Sequence, residues 1–310
     1  DNKSYNKSDN DLNSEINRNI IKDYIFMCFL LGNDFLPHFP ALNIRLNGID
    51  TLISIYSEYF YNKNKNIVFY DKTDDKVNYK INMKNFKEFV RILSEHEEQF
   101  LINLEISRQR QENNYHRNNI IDLKNETILN NLPIFDRNIE KFINPNEIKW
   151  ERRYYSSLLN IELNSDEKEF KESVNNIANN YIKTLLWTLN YYNDDCLDWR
   201  LAYNYNYPPL LIDLYKYIPY FDNEITINKE LNPYPTLCSL VFIIPPNSYN
   251  LLPSKIKSHF DEKYNVKDYN ILDMKFYYAY CKFFWEAHIQ DEITEKQDIN
   301  LIEKDILNLL

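Results

Sequence analysis

Only 2 glycines occur in 310 residues, and that scarcity constrains the chain more than any other feature. A dinucleotide-binding fingerprint, a phosphate-cradling P-loop and a sheet of glycine-rich hairpins each need several residues at positive φ or at a close backbone approach. Two glycines cannot supply them, so a mainly helical chain is what remains. Asparagine is heavily over-used in the same sequence. The 26 tyrosines and 18 phenylalanines offer core area, and each buried tyrosine hydroxyl needs a polar partner or water. Hydrophobic residues at 44% and charged residues at 26% exclude bulk disorder. The length suits one large domain or two modest ones.

A net charge of −10 and a pI of about 5.1 disfavour a freestanding nucleic-acid binder, which carries a basic footprint. They leave room for a domain whose partner segment brings the basic charge. Cys28, Cys196, Cys238 and Cys281 are far apart with no CxxC pair. Free thiols in a reducing, intracellular compartment are therefore expected over disulfides or zinc. No apolar run reaches the roughly 20 residues of a membrane span. Opening on Asp-Asn-Lys-Ser, without an initiator methionine or signal peptide, the chain is expected to be a piece of something longer.

Residues 1–12 read as a disordered lead-in or internal loop. From about Leu12 a helix builds through Ile16, Ile20, Tyr24 and Met27, and Ile25 to Leu31 is apolar on every face. Gly32 reads as its stop. Asn33 and Asp34 follow, and a carboxylate set straight after a buried helix is expected to be withheld from open water. A second helix is predicted at 49–60. Val68–Tyr70 and Val77–Ile81 flank a small hairpin. Asn82 caps a helix predicted to run from Met83 to Leu104. Residues 107–131 read as an exposed helical extension or linker, with short helices at 134–143 and 147–162. The clearest long helix runs from Asn164 or Ser165 to Tyr192, with Phe170, Val174, Ile177, Tyr181, Leu185 and Leu189 at spacings of three and four. An aromatic, proline-bearing segment spans Trp199 to Pro209. Helices are predicted at 210–217 and 235–244, a break at Pro245-Pro246, and a last aromatic helix at 275–288.

Read alone, Gly32-Asn33-Asp34 is a helix-terminating turn. A metal-dependent phosphodiesterase needs several acidic groups converging on divalent ions, because Mg²⁺ takes oxygen ligands and a lone carboxylate binds it weakly. The stretch Asp23-Tyr-Ile-Phe-Met-Cys-Phe-Leu-Leu-Gly-Asn-Asp-Phe-Leu-Pro-His38, then Pro40-Ala-Leu-Asn-Ile-Arg45 and Gly48-Ile-Asp50, closely resembles the Xrn family of 5′→3′ exoribonucleases. The resemblance continues in order along some 270 residues. Phe86 to Leu93 with Glu97, Glu98 and Phe100 is similar to the family's next helix. Trp150-Glu-Arg-Arg-Tyr-Tyr155 is similar to its aromatic-basic segment, and Tyr181 to Tyr192 to its Y-x-x-G-L-x-W-V-L-x-Y-Y-Y. Trp199 to Asp213, Pro233 to Pro253 and Trp285 to His288 also have counterparts.

The resemblance implies a role for Asp34 as catalytic metal ligand, with Asn33 and His38 in support. Packing or capping of the preceding loop is the other reading of His38. Arg45 would contact the phosphate backbone or pair with a nearby acid. Of the family's aromatic run, Trp199, Tyr203 and Tyr207 carry over, either to stack on unpaired bases or simply to pack. Leu201 stands where a second tryptophan is expected, and Asn206 where a histidine is expected.

The expected fold is mainly α: a helical domain with a small β-hairpin at 63–310, preceded at 1–62 by the C-terminal edge of an α/β nuclease module. The implied function is processive 5′→3′ hydrolysis of 5′-monophosphorylated single-stranded RNA with Mg²⁺ or Mn²⁺. The other acids would come from an N-terminal nuclease half of the same protein, so this piece alone would be inactive. A cytoplasmic or nuclear site and no membrane partner go with this reading. Two alternatives are a catalytically degenerate RNA-binding or scaffold module, and a structural interaction protein.

Overall fold

The computed structural model describes residues 9–73, 76–117, 134, 137–193, 195–221, 227, 232–266, 275–290 and 298–310. Among them are eleven α-helices and two separate two-stranded antiparallel pairs, so the chain is mainly α as the sequence predicts. They fall into two compact units, residues 1–119 with 138–230 and residues 120–137 with 231–310.

The first unit holds α1 (Asp9–Cys28), α2 (Gly48–Tyr59), β1 (Val68–Thr73), β2 (Lys76–Ile81), α3 (Met83–Ser94) and α4 (Glu97–Arg117). It continues with α5 (Asn138–Ile143), α6 (Trp150–Leu159), α7 (Glu167–Asn193) and α8 (Leu211–Tyr217). Residues on both sides of position 62 thus lie in one unit. The spine is α7, whose buried Val174, Ile177, Ala178, Tyr181, Ile182, Leu185 and Leu189 recur at helical spacing. From Ala178 onward they share one core with Phe26 of α1, Leu30 just past it, Leu52 and Ile55 of α2, Phe86 and Phe89 of α3, and Leu211 and Leu214 of α8. β1 and β2 pair antiparallel from Val68 opposite Ile81 to Thr73 opposite Lys76. The expected turn residues Asp74 and Asp75 lie outside the described residues, as do 118–131 of the expected extension.

Buried Asp23 ties three of these elements together. Its carboxylate accepts the Tyr56 hydroxyl of α2, the Asn66 amide at 3.2 Å, and the backbone N–H groups of Ile67 at 3.0 Å and Val68 at 2.6 Å. Desolvation pushes its pKa up, and these donors pull it back.

The helix predicted at Met83–Leu104 breaks in two at Glu95 and His96. Asn82 does cap it, accepting from Asn85 N–H at 3.0 Å. Near the far end Ser94 donates its hydroxyl back to the Arg91 carbonyl at 2.7 Å, a local bond that competes with helix continuation. The break lets Glu97 turn inward beneath α8. There its two carboxylate oxygens accept the N–H groups of Leu211 at 2.8 Å and Ile212 at 3.3 Å. Leu210, the residue before α8, offers no side-chain cap, so Glu97 satisfies orphan donors from another element and lies at the positive end of the helix dipole. The Tyr155 hydroxyl accepts Leu210 N–H at 3.1 Å and donates to Asp213 at 2.8 Å. At the opposite end buried Lys87 donates to the Ile218 carbonyl at 2.6 Å.

The second unit contains α9 (Thr236–Ile243), α10 (Ser254–Lys263), β3 (Lys275–Tyr277), β4 (His288–Gln290) and α11 (Ile299–Leu309). Its core is Cys238, Val241, Tyr249, Leu252, Ile256, Phe260, Ile302 and Ile306. The predicted helix at 275–288 is not formed. β3 and β4 pair there, with Tyr277 opposite His288 and a 3₁₀ turn at Phe284–Glu286. The segment is crowded with rings that lose χ1 freedom in a helix and fit a pleated strand. No helix was expected at α11, which buries Ile302 and Ile306 four residues apart and is capped by Asp298, whose side chain accepts Asn300 N–H at 2.8 Å.

Scarce glycine is answered by asparagine. Five of the seven described non-glycine residues at positive φ are asparagines: Asn47, Asn64, Asn144, Asn160 and Asn265. Asparagine tolerates the left-handed region better than any other L residue. Several of these positions end helices, as Asn160 does after α6.

Candidate functional site

The two glycines of the chain bound the loop between α1 and α2, Gly32 near its start and Gly48 as the first residue of α2. After Cys28 the chain tightens into a 3₁₀ turn, Phe29–Leu31, all three side chains buried. Gly32 then stops it at φ 91°, its N–H donating to the Phe29 carbonyl at 3.2 Å. A Cβ at Gly32 would stand 3.0 Å from the backbone nitrogen of His38. At Gly48 it would stand 2.3 Å from the Leu42 carbonyl oxygen, closer than any side chain permits.

Asparagine side chains fasten the loop between these points. Asn33 Oδ1 accepts the N–H of Phe35 at 2.9 Å and of Leu36 at 3.0 Å. Buried Asn43 uses Oδ1 to accept Arg45 N–H at 2.9 Å, which fixes its amide with Nδ2 toward His38 Nε2, 3.3 Å away. Since an amide NH₂ only donates, Nε2 accepts and the imidazole proton of neutral His38 sits on Nδ1. The Tyr181 hydroxyl of α7 donates to the Pro37 carbonyl at 3.3 Å. In this structure His38 is half-buried and linked across the loop to Asn43. Arg45 is exposed.

Asp34 stands at the apex and is exposed, contrary to the expectation that it is withheld from water. Asn33 takes the inward position, and its two-pronged turn aims the next side chain out. Among the described residues Asp34 accepts no hydrogen bond and forms no ion pair. It nevertheless lies near Tyr192 at the end of α7, whose phenol is pushed up by partial burial and then by the Asp34 charge.

The residue after it carries the loop onto α7. Phe35 meets Trp187 edge-on at 4.9 Å and Tyr191 at 5.2 Å, and lies 6.1 Å from Tyr192. Trp187 stacks on Tyr191 at 4.9 Å with 11° between planes, and Phe29 stacks on Tyr192 at 5.7 Å. Trp187 is buried and donates Nε1–H to the Asp198 carbonyl at 2.8 Å, while Tyr191 and Tyr192 are 42% and 51% exposed. Sequence reasoning missed these five rings as a cluster. The signal open to it was the i, i+4 pair Trp187 and Tyr191 at the end of the longest helix.

The structure separates the members of the aromatic run read either to stack on bases or to pack. Tyr207 is 5% exposed. Tyr203 packs edge-on against Tyr181 at 5.3 Å and donates its hydroxyl to the Tyr207 carbonyl at 2.8 Å. Trp199 is 59% exposed.

The chain matches the family model described as "Xrn1 helical domain" at residues 14–147 and 142–290. It belongs to the Xrn family. It is 25% identical over 305 residues to a 5′-3′ exoribonuclease 2 homolog of Drosophila melanogaster, covering 86% of this chain and 32% of that protein. It is 27% identical over 299 residues to a 5′-3′ exoribonuclease 2 of Gallus gallus, covering 75% and 29% respectively. A Neurospora crassa protein of the same name is 66% identical over 38 residues, 12% of this chain and 4% of its own. The chain thus spans about a third of the length of the Drosophila and Gallus relatives.

Within this Xrn-family chain the described residues do not make a metal centre. No group of three or more His, Cys, Asp or Glu among them is placed to hold an ion, and Asp34 by itself offers one carboxylate where Mg²⁺ wants several oxygens. Among the described residues, no helix is long and apolar enough to cross a membrane.

Proposed function

We propose that this chain is the helical portion, with the Asp34 loop, of a 5′→3′ exoribonuclease that processively hydrolyses single-stranded RNA bearing a 5′-monophosphate. The observation that carries the proposal is the exposed Asp34 carboxylate, unpaired among the described residues, at the apex of a loop that the chain's two glycines bound. A carboxylate presented by a hydrogen-bonded turn, without donors among the described residues, is available to a group from outside. In this reading Asp34 supplies one oxygen ligand toward Mg²⁺ or Mn²⁺, and the remaining acids belong to an N-terminal nuclease half of the same protein. Asn33 and His38 hold the loop that presents it. The proposal includes an intracellular site of action, in cytoplasm or nucleus.

The test is degradation of 5′-monophosphate single-stranded RNA in Mg²⁺ by the full-length protein, its Asp34→Ala variant and this 310-residue chain, with a 5′-hydroxyl RNA as control. Directional degradation of the monophosphate RNA by the full-length protein alone supports the reading. A full-length protein that binds RNA and leaves it intact overturns it in favour of a scaffold.

A further inference from the structure

We propose that Asn47 is a deamidation site that the folded chain holds shut and that opening of the first turn of α2 releases. The sequence contains one Asn-Gly pair, Asn47-Gly48. In such a pair the nitrogen that attacks belongs to a residue without a Cβ, so nothing hinders its approach to the asparagine side chain. The Gly48 nitrogen attacks Cγ of Asn47. The new N–Cγ bond replaces the Cγ–Nδ2 bond, and the side-chain amide leaves as ammonia with the proton of the Gly48 N–H. Water then opens the five-membered imide at either carbonyl, giving aspartate or isoaspartate. Asn47 is exposed, so water reaches it. At the other four asparagines described at positive φ the next residue is Lys65, Pro145, Ile161 or Val266. Each of these has a Cβ in the way or, at Pro145, no N–H to lose.

Backbone geometry sets the lock. Ring closure needs the Gly48 nitrogen and the Asn47 Cβ on the same side of the Cα–C bond between them. At φ 65° and ψ 23° the two lie nearly opposite each other. Swinging the nitrogen round breaks three hydrogen bonds. Gly48 N–H donates to the Asn43 carbonyl at 3.1 Å, and the Asn47 carbonyl accepts the Thr51 N–H and the Thr51 hydroxyl, each at 3.0 Å. Gly48 is also buried against the Leu42 carbonyl, so the reaction waits on local opening. Its consequence falls on the Asp34 loop, because Asn43 also fastens Arg45 and His38 through its side chain. An aspartate at position 47 places a negative charge at the start of α2, where the helix dipole accepts it. An isoaspartate adds one carbon to the main chain between the Asn43 and Thr51 bonds, and the loop no longer closes on both.

The experiment incubates the full-length protein at mildly alkaline pH and follows the peptide that carries Asn47 by mass spectrometry. The same protein unfolded in guanidinium chloride gives the unlocked rate. Folded wild type should deamidate at Asn47 at least about tenfold more slowly than the unfolded chain. Asn43→Ala removes the side chain that holds the turn, and should raise the folded rate about fivefold, the effect of losing roughly one hydrogen bond. Its unfolded rate should match wild type. Thr51→Val deletes only the hydroxyl bond to the Asn47 carbonyl and should raise the folded rate by a smaller factor, so a variant that keeps the core is read beside Asn43→Ala. Absence of deamidation at Asn47 in guanidinium chloride overturns the site. Equal folded and unfolded rates, or folded rates in both variants equal to wild type, overturn the lock. Because RNA plays no part, the result is independent of the degradation assay.

Discussion

Asp34 and Glu97 both stand at helix boundaries in the first unit, each just past a run of buried apolar residues. Glu97 is 3% exposed, and both its oxygens accept N–H groups at the start of α8. Burial pushes its carboxyl up to about 8. Asp34 is exposed and accepts no hydrogen bond among the described residues. The difference separates an acid that the fold consumes from one that the fold presents. Burying a carboxyl costs free energy unless donors meet it, so a buried acid declares its partners. An exposed acid without donors makes no contact that explains its placement. Here the loop around Asp34 is the costly part, with Gly32 at positive φ and Gly48 pressed on a carbonyl.

The sharpest break of this comparison is a pair of substitutions read on two axes. Asp34→Ala in the full-length protein is expected to slow RNA degradation by at least about a hundredfold, roughly 2.7 kcal/mol of transition-state stabilisation. Its unfolding free energy should stay within about 0.5 kcal/mol of wild type in urea. If the variant degrades RNA normally, Asp34 is no part of the chemistry and the contrast collapses.

Glu97→Ala should do the reverse. It strands the N–H groups of Leu211 and Ile212 and opens a cavity under α8, and each of these is costly in a core. A loss of about 2–4 kcal/mol in chemical unfolding is expected. A loss below about 1 kcal/mol would mean that α8 is held by Tyr155 and Lys87 without the carboxylate.

Acid–base titration refines the same point. The folded pKa of Glu97 is raised from an ordinary 4.5 to about 8, so the folded state holds the proton more tightly than the unfolded chain does. Its contribution is fully present below pH 4.5 and declines as pH rises toward about 8. The full decline is of the order of a few kcal/mol, at about 1.4 kcal/mol for each pKa unit. Asp23, also raised by burial, acts in the same direction, so the useful quantity is the difference between wild type and Glu97→Gln. Relative to that variant, wild type should lose stability between about pH 4.5 and 8. Parallel pH profiles would show that the carboxyl does not titrate in this window.

Much of this was legible before any coordinates. The stripe from Val174 to Leu189, the apolar run ending in Gly32 and the cap at Asn82 rest on short-range physics, and the structure keeps them. Asp34 was legible as an identity through its motif, but its exposure was not. Which of two adjacent polar side chains folds inward depends on the N–H groups of Phe35 and Leu36, and Asn33 reaches them. The Tyr191–Tyr192 surface was illegible for a longer-range reason: Phe35 meets those rings across some 150 positions of sequence. The segment 275–288 misled because a dense aromatic run has no period of its own to choose helix or strand.

The smallest effect concerns how a chain with two glycines turns its corners. Asn160 ends α6 at φ 55°, exposed, with its N–H on the Tyr155 carbonyl. Its side chain is therefore nearly free of packing duties, and the backbone angle is what the position demands. Asn160→Ala should cost about 1 kcal/mol, the penalty of a Cβ in the left-handed region without the side-chain relief asparagine has. Asn160→Gly should be neutral within a few tenths of a kcal/mol, because easier φ is offset by a looser unfolded chain. Thermal melts of the two variants in parallel decide it. Equal losses would mean that the asparagine side chain, not the backbone, holds the turn. The order Gly ≥ Asn > Ala would place Asn160 with the other asparagines at positive φ, standing in for glycine away from the site, while Gly32 and Gly48 are kept where a Cβ has no room.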